Sequence, residues 1–102
     1  MFYGVFKDAA GNYGGGVYDN FDDWYADTFS PDCKVITFFD FKAHGKTYAE
    51  KKANIRENAI DYSNTRGEID MYMSELSEIS NYFSKYGRRY HLMGEFTENA
   101  IC

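Results

Sequence analysis

Gly45-Lys46-Thr47 stands between a stretch with strand character and one with helix character, where a phosphate-binding loop carries its Gly-Lys-Thr. Such a loop also needs an earlier glycine, five positions before Gly45, so that backbone amides can wrap the phosphates. Asp40 occupies that position and would turn negative charge toward the anion, so nucleotide hydrolysis is not expected. The Gly14-Gly15-Gly16 run lacks the G-x-G-x-x-G spacing and precedes a strand end, where a dinucleotide site needs the start of a crossover helix. Cys33 and Cys102 lie far apart without a Cys-x-x-Cys pair, and neither His44 nor His91 joins them at zinc-site spacing. Both cysteines read as free thiols, and no metal or other cofactor is expected. The acid pairs Asp22-Asp23 and Glu75 with Glu78 could in principle do acid–base work. A helix start and a helical surface are by far the commoner reasons for such acids, and no nucleophile, base and orienting group align. The chain therefore reads as a protein without enzymatic activity.

Charge is the more informative signal. The 102 residues include 16 Asp plus Glu and 11 Lys plus Arg, a net charge of −5. Residues 1–33 set the single base Lys7 against Asp8, Asp19, Asp22, Asp23, Asp27 and Asp32, an excess as large as that of the whole chain. Residues 34–63 are net basic and residues 64–102 net acidic. An acidic face near residue 20 would repel nucleic acid and attract proteins that hold nucleic acid in basic grooves. Aromatic residues make up 20% of the chain, and its ten tyrosines divide, on this reading, between core edge and contact surface. No apolar run approaches the ~20 residues of a membrane helix, and no basic-then-apolar leader follows Met1, so a soluble cytoplasmic protein is expected.

These residues need elements to hold them. Residues 2–7 and 13–18 flank Asp8-Ala9-Ala10-Gly11-Asn12 and predict a β-hairpin. Asn20 caps a predicted short helix to about residue 29, with Phe21, Trp24, Tyr25 and Thr28 on one face and Ser30-Pro31 as its stop. Residues 34–42 are apolar on both faces at their start and predict a strand at the centre of the sheet. Thr47-Tyr48-Ala49-Glu50 is a capping box for a second helix over 48–63, whose apolar face is thin and rich in small residues. Thr65-Arg66-Gly67-Glu68 has the same form and predicts the start of a third helix. That helix would carry a stripe of Ile69, Tyr72, Met73, Leu76, Ile79, Phe83 and Tyr86, with Gly87 as its stop. Leu92 to Ile101 predicts a short helix or a partly ordered tail. The expectation is one α+β domain over 1–102, a small antiparallel sheet packed against helices in the order β-β-α-β-α-α.

Two resemblances follow from quoted residues. Gly16-Val17-Tyr18, then Trp24, then Phe38-Phe39-Asp40-Phe41-Lys42 ahead of a helix containing Ala49-Glu50, resembles the small hybrid-binding domain attached to ribonuclease H enzymes. The likeness spans about residues 2–60 and implies that family's fold. The family binds RNA–DNA hybrids through basic residues, whereas this stretch has more acids than bases. Lys46-Thr47-Tyr48-Ala49-Glu50-Lys51-Lys52, Ala59-Ile60-Asp61-Tyr62, Tyr86-Gly87-Arg88-Arg89-Tyr90 and the closing Glu95 to Cys102 are similar to segments of small accessory proteins of phages and mobile elements. Those proteins usually have Gly where Ala100 stands. The second resemblance implies a setting in which small acidic proteins act as anti-CRISPR or other anti-defence inhibitors.

The expected partner is accordingly a host protein with a basic nucleic-acid-binding groove, a CRISPR effector foremost, and neither nucleic acid itself nor a membrane. Asp19, Asp22, Asp23 and Asp27 would stand in for phosphates, with Tyr18 and Tyr25 as anchors and Glu75 and Glu78 as a second patch. Two alternatives stay open. One is a nucleic-acid-binding module using Lys34, Lys42, Lys46, Lys51, Lys52 and Arg56, and the other is a self-associating phage accessory protein.

Overall fold

A computed structural model describes residues 1–28 and 33–101, with the backbone alone for Asp27 and Thr28. The architecture is α+β. In chain order the elements are β1 (Phe2–Lys7), β2 (Tyr13–Tyr18), α1 (Phe21–Thr28), β3 (Lys34–Asp40), α2 (Tyr48–Thr65), a 3₁₀ turn (Arg66–Glu68), α3 (Met73–Arg89) and α4 (Met93–Glu98). The chain forms two compact units, Met1–Phe41 with Thr65–Met71, and Lys42–Asn64 with Tyr72–Cys102.

In the first unit the strands form an antiparallel sheet in the order β2-β1-β3. The hairpin turn is tied by Asp8, whose backbone N–H donates to the Asn12 carbonyl at 2.9 Å while its carboxylate accepts the Asn12 N–H at 2.8 Å. Gly11, at φ 86°, supplies the left-handed residue that a turn of this length needs. The central position thus belongs to β1 and not, as the sequence suggests, to the third strand. The reason is visible in the side chains. On one face of β1, Tyr3 and Val5 are fully buried, and the Tyr3 hydroxyl shares a 2.9 Å hydrogen bond with Thr65 Oγ1. On the other face Gly4 leaves a bare strip of backbone over which the Trp24 indole lies, and a Cβ there would stand 2.8 Å from Trp24 Cδ1. β3 buries only Thr37 and Phe39 and exposes Val35, Ile36 and Phe38. Its apolar start reflects a register irregularity: Val5 pairs with Thr37 and Phe6 with Val35, leaving Ile36 without a partner in β1.

The helical unit is built on α2, α3 and α4. The start of α2 meets the end of α3 through Tyr48 and Tyr90, with ring centroids 5.2 Å apart. Farther along, Tyr62 packs on Phe83 at 5.6 Å, and Phe83 meets the edge of Phe96 at 5.6 Å. Ile55, Ala59, Ile79 and Leu92 complete this core. One polar relay runs through it: buried Asn58 donates to the Tyr82 hydroxyl at 2.8 Å, which donates to the Lys42 carbonyl at 3.1 Å. The small-residue face expected of the second helix is narrower than its spacing suggests, since Ala49 and Ala53 are exposed.

Three boundaries move. The second helix continues to Thr65, so Thr65-Arg66-Gly67-Glu68 is the end of one helix and a 3₁₀ turn, not the opening of the next. Thr65 Oγ1 engages Tyr3 in place of a cap. The third helix starts at Met73, where the Glu75 carboxylate accepts the Tyr72 N–H at 3.1 Å, and its stripe begins later than expected: Tyr72 and Met73 are 82% and 77% exposed. Gly87 does not stop the helix. It is buried within α3, where an added Cβ would lie 2.8 Å from Met93 Sδ and 2.9 Å from Phe96 Cδ2. The helix ends at Arg89, followed closely by His91 in the left-handed region at φ 58°. The Ser30-Pro31 stop lies outside the described residues, as does Cys102.

Two outcomes follow. Gly4→Ala forces a methyl against the indole and is expected to destabilise the chain by about 1–3 kcal/mol, read as a lower urea midpoint. Burial, and secondarily the neighbouring Glu57, raise the Asp61 carboxyl above its ordinary value of 3.8. The folded state therefore holds this proton more tightly than the unfolded chain, and ionised Asp61 disfavours folding. Asp61→Asn should stabilise by about 0.3 kcal/mol at neutral pH, with the gain vanishing as pH falls below the ordinary carboxylate value. Urea melts of both proteins at acidic and neutral pH check the sign.

Candidate functional site

The most chemically distinctive surface of the sheet unit is built around α1. Asn20 fixes where that helix begins: its Oδ1 accepts the Asp23 N–H at 2.9 Å, and its Nδ2 donates to Asp23 Oδ2 at 3.0 Å. Asp22 and Asp23 sit in the first turn, where carboxylates complement the exposed amides of the helix start. Asp19, Asp22 and Asp23 are all exposed. Asp23 is partly engaged by the cap, whereas Asp19 and Asp22 have no side-chain partner among the described residues. Asp27 belongs to α1 by its backbone, and its side chain lies outside the description.

The aromatic half of the surface follows from the helix spacing. Only Trp24 of the Phe21, Trp24 and Tyr25 group is buried, with its ring 4.4 Å from Phe38, which in turn stacks on Phe2 at 5.3 Å. Phe21 and Tyr25, one turn apart, stack on each other at 5.9 Å and remain 50% and 49% exposed. The result is a row of rings, Phe2, Phe38, Trp24, Phe21 and Tyr25, of which the Phe21 and Tyr25 end is half-exposed and is adjacent in the chain to the exposed Asp22 and Asp23. Tyr18, half-buried, ends β2 just before Asp19. The chain thus brings Tyr18, Asp19, Asp22, Asp23 and Tyr25 into one short segment.

Phe21 and Phe38 are the residues that sequence reasoning missed. Phe21 reads as part of a buried stripe, yet an eight-residue helix lying on Gly4 through Trp24 buries one ring per two turns, not three. Phe38 reads as the second buried face of a central strand, and the edge position of β3 leaves it 40% exposed.

Glu75 and Glu78 belong to the helical unit, near the start of α3. Glu75 is half-buried and its carboxylate accepts the Tyr72 N–H, so part of its capacity is used in capping, while Glu78 is exposed.

The Gly45-Lys46-Thr47 segment is closed to phosphate by its own helix. Glu50 Oε2 accepts the Lys46 N–H at 2.7 Å and the Thr47 N–H at 3.2 Å, and Thr47 Oγ1 accepts the Glu50 N–H at 3.1 Å. The amides an anion would need are bonded to a carboxylate, the reciprocal arrangement of a capping box. The glycine run serves strand pairing: Gly15, at φ 136°, lies so close to the Gly4 carbonyl that a side chain has no space. Among the described residues no cluster of three His, Cys, Asp or Glu side chains could hold a metal, and Cys33 is a half-buried free thiol. No described helix is long and apolar enough to cross a membrane.

No protein family matches the chain, and neither a curated protein nor a solved structure does.

Thr47→Ala is expected to cost about 1 kcal/mol by removing one half of the capping box, measured as a loss of urea stability.

Proposed function

We propose that this chain is a non-catalytic inhibitor of the phage anti-defence type. It binds a host nucleic-acid-handling protein, a CRISPR effector foremost, in the bacterial cytoplasm and blocks the groove in which that protein holds nucleic acid. The observation that supports this reading is the pair of stacked, half-exposed rings of Phe21 and Tyr25 beside the exposed carboxylates of Asp19, Asp22 and Asp23. Basic grooves present arginine and lysine side chains spaced to receive phosphates. Carboxylates substitute for those phosphates as charge-assisted acceptors, and an arginine that pairs with one can stack its guanidinium plane on a neighbouring ring. Aromatic side chains are also enriched among the few residues that carry most of an interface's binding energy. Tyr18 flanks this segment, and Glu78 with Glu75 is the second acidic patch.

Direct binding of a nucleic acid is disfavoured by the same charges. Of the basic residues from Lys34 to Arg56, Arg56 is already paired with Glu95, which reduces its availability to a phosphate.

The test is displacement of labelled target DNA from a panel of purified CRISPR effector complexes. The chain is expected to lower DNA retention by at least one of them, and Asp19→Lys with Asp22→Lys to abolish the effect while leaving the circular dichroism spectrum unchanged. Tyr25→Ala should weaken inhibition about tenfold or more, as truncation of an interface anchor does. Undiminished DNA binding across the panel, or inhibition that survives the charge reversal, would refute the proposal.

A further inference from the structure

Within the helical unit, α2 and α4 enclose a groove of about 220 Å³. Its floor is apolar, made by the buried side chains of Ala59, Phe96 and Ile101. Its polar side is dominated by Arg56, which pairs with Glu95 in an unusual way. Arg56 Nε alone makes both contacts, at 3.1 Å to Oε1 and 3.2 Å to Oε2. The two terminal nitrogens of the guanidinium make no hydrogen bond to any described residue. Arg56 is 45% and Glu95 42% exposed, so the pair is accessible.

A guanidinium held by its Nε and free at its terminal nitrogens is pre-oriented to donate two parallel hydrogen bonds, the geometry that a carboxylate accepts. Glu95 fixes the orientation of the plane while leaving that fork unused. The hydroxyl of Ser63 and the amide of Asn64, which also line the groove, offer further donors. At ~30 Å³ per water, the volume corresponds to about seven waters, enough for a molecule of similar non-hydrogen atom count.

We propose that this groove binds a small organic carboxylate with a short hydrocarbon body, the carboxylate on the Arg56 terminal nitrogens and the hydrocarbon against Phe96 and Ile101. A neutral molecule would leave the fork unfilled, and an amine would face the cation directly. The site shares no residue with the α1 surface and does not depend on the function assigned to it.

The experiment is an amide NMR titration of the full chain with butyrate, with 1-butanol and butylamine as bodies of the same length. Butyrate is expected to shift amides around Arg56, Ser63 and Phe96 in a saturable manner, and the other two to leave them nearly unchanged. Arg56→Ala should weaken butyrate binding about tenfold or more, as loss of a charge-assisted pair does. Arg56→Lys, which keeps the charge but not the fork, should also weaken it. Glu95→Gln removes the competing negative charge and should tighten binding, a result that a purely structural role for the ion pair would not produce. The proposal is overturned by an absence of saturable shifts with butyrate, by equal shifts with butanol or butylamine, or by unchanged affinity in Arg56→Lys. Where Arg56→Ala does not give a dispersed spectrum, Arg56→Lys and Glu95→Gln carry the test.

Discussion

A missing side chain governs the sheet unit. Because Gly4 has no Cβ, the Trp24 indole can lie directly on the backbone of the central strand, and that close approach, with the packing of the same ring on Phe38, helps to seat α1 on the sheet. Everything distinctive about the α1 surface is a geometric consequence. With Trp24 turned inward, Phe21 and Tyr25 flank it and stand at the margin, while Asp22 and Asp23 are carried to the solvent side of the first turn. The Asn20 cap sets the helix start, so it also decides which of these residues fall on which side. A small helix with one buried ring has little redundancy, and its outward chemistry is tied closely to how that ring packs.

The helical unit is held by a different kind of interaction. Its core is lined by tyrosines whose rings are buried and whose hydroxyls must still be satisfied, since an unpaired buried hydroxyl is costly. Tyr82 solves this by accepting from Asn58 and donating to the Lys42 carbonyl. Of the ten tyrosines, Tyr3, Tyr62, Tyr82 and Tyr90 are buried, and Tyr13, Tyr25, Tyr48 and Tyr72 are exposed. An aromatic-rich composition in a short chain is divided in this way because there is not enough interior to hide every ring.

The sequence is legible where a local rule acts alone. The hairpin, the Asn20 cap and the Thr47 to Glu50 capping box depend on residues within a few positions of each other, and each appears where its pattern predicts. Legibility fails where a distant residue competes for the same group. Thr65 has the form of a cap, but its hydroxyl is bonded to Tyr3, far away in the chain. Gly87 has the form of a helix stop, but Phe96 and Met93 need the space it leaves. The position of β3 is misread for a related reason: a bulge and a central location both place apolar residues on two faces, and the periodicity cannot separate them. At the α1 surface the acids are legible from charge alone, whereas the exposure of Phe21 and Phe38 depends on which ring the sheet accepts.

The irregularity that leaves Ile36 unpaired reaches beyond register. Val-Ile-Thr-Phe-Phe is a run of high β propensity without charge or proline, the composition that drives chains to stack into fibrils when it lies along a sheet margin. A bulge in such a strand increases its twist and breaks the even row of amides and carbonyls that a further strand would need as a template. The hydrophobic stretch that completes the sheet therefore also carries, at Ile36, a defence against its own polymerisation.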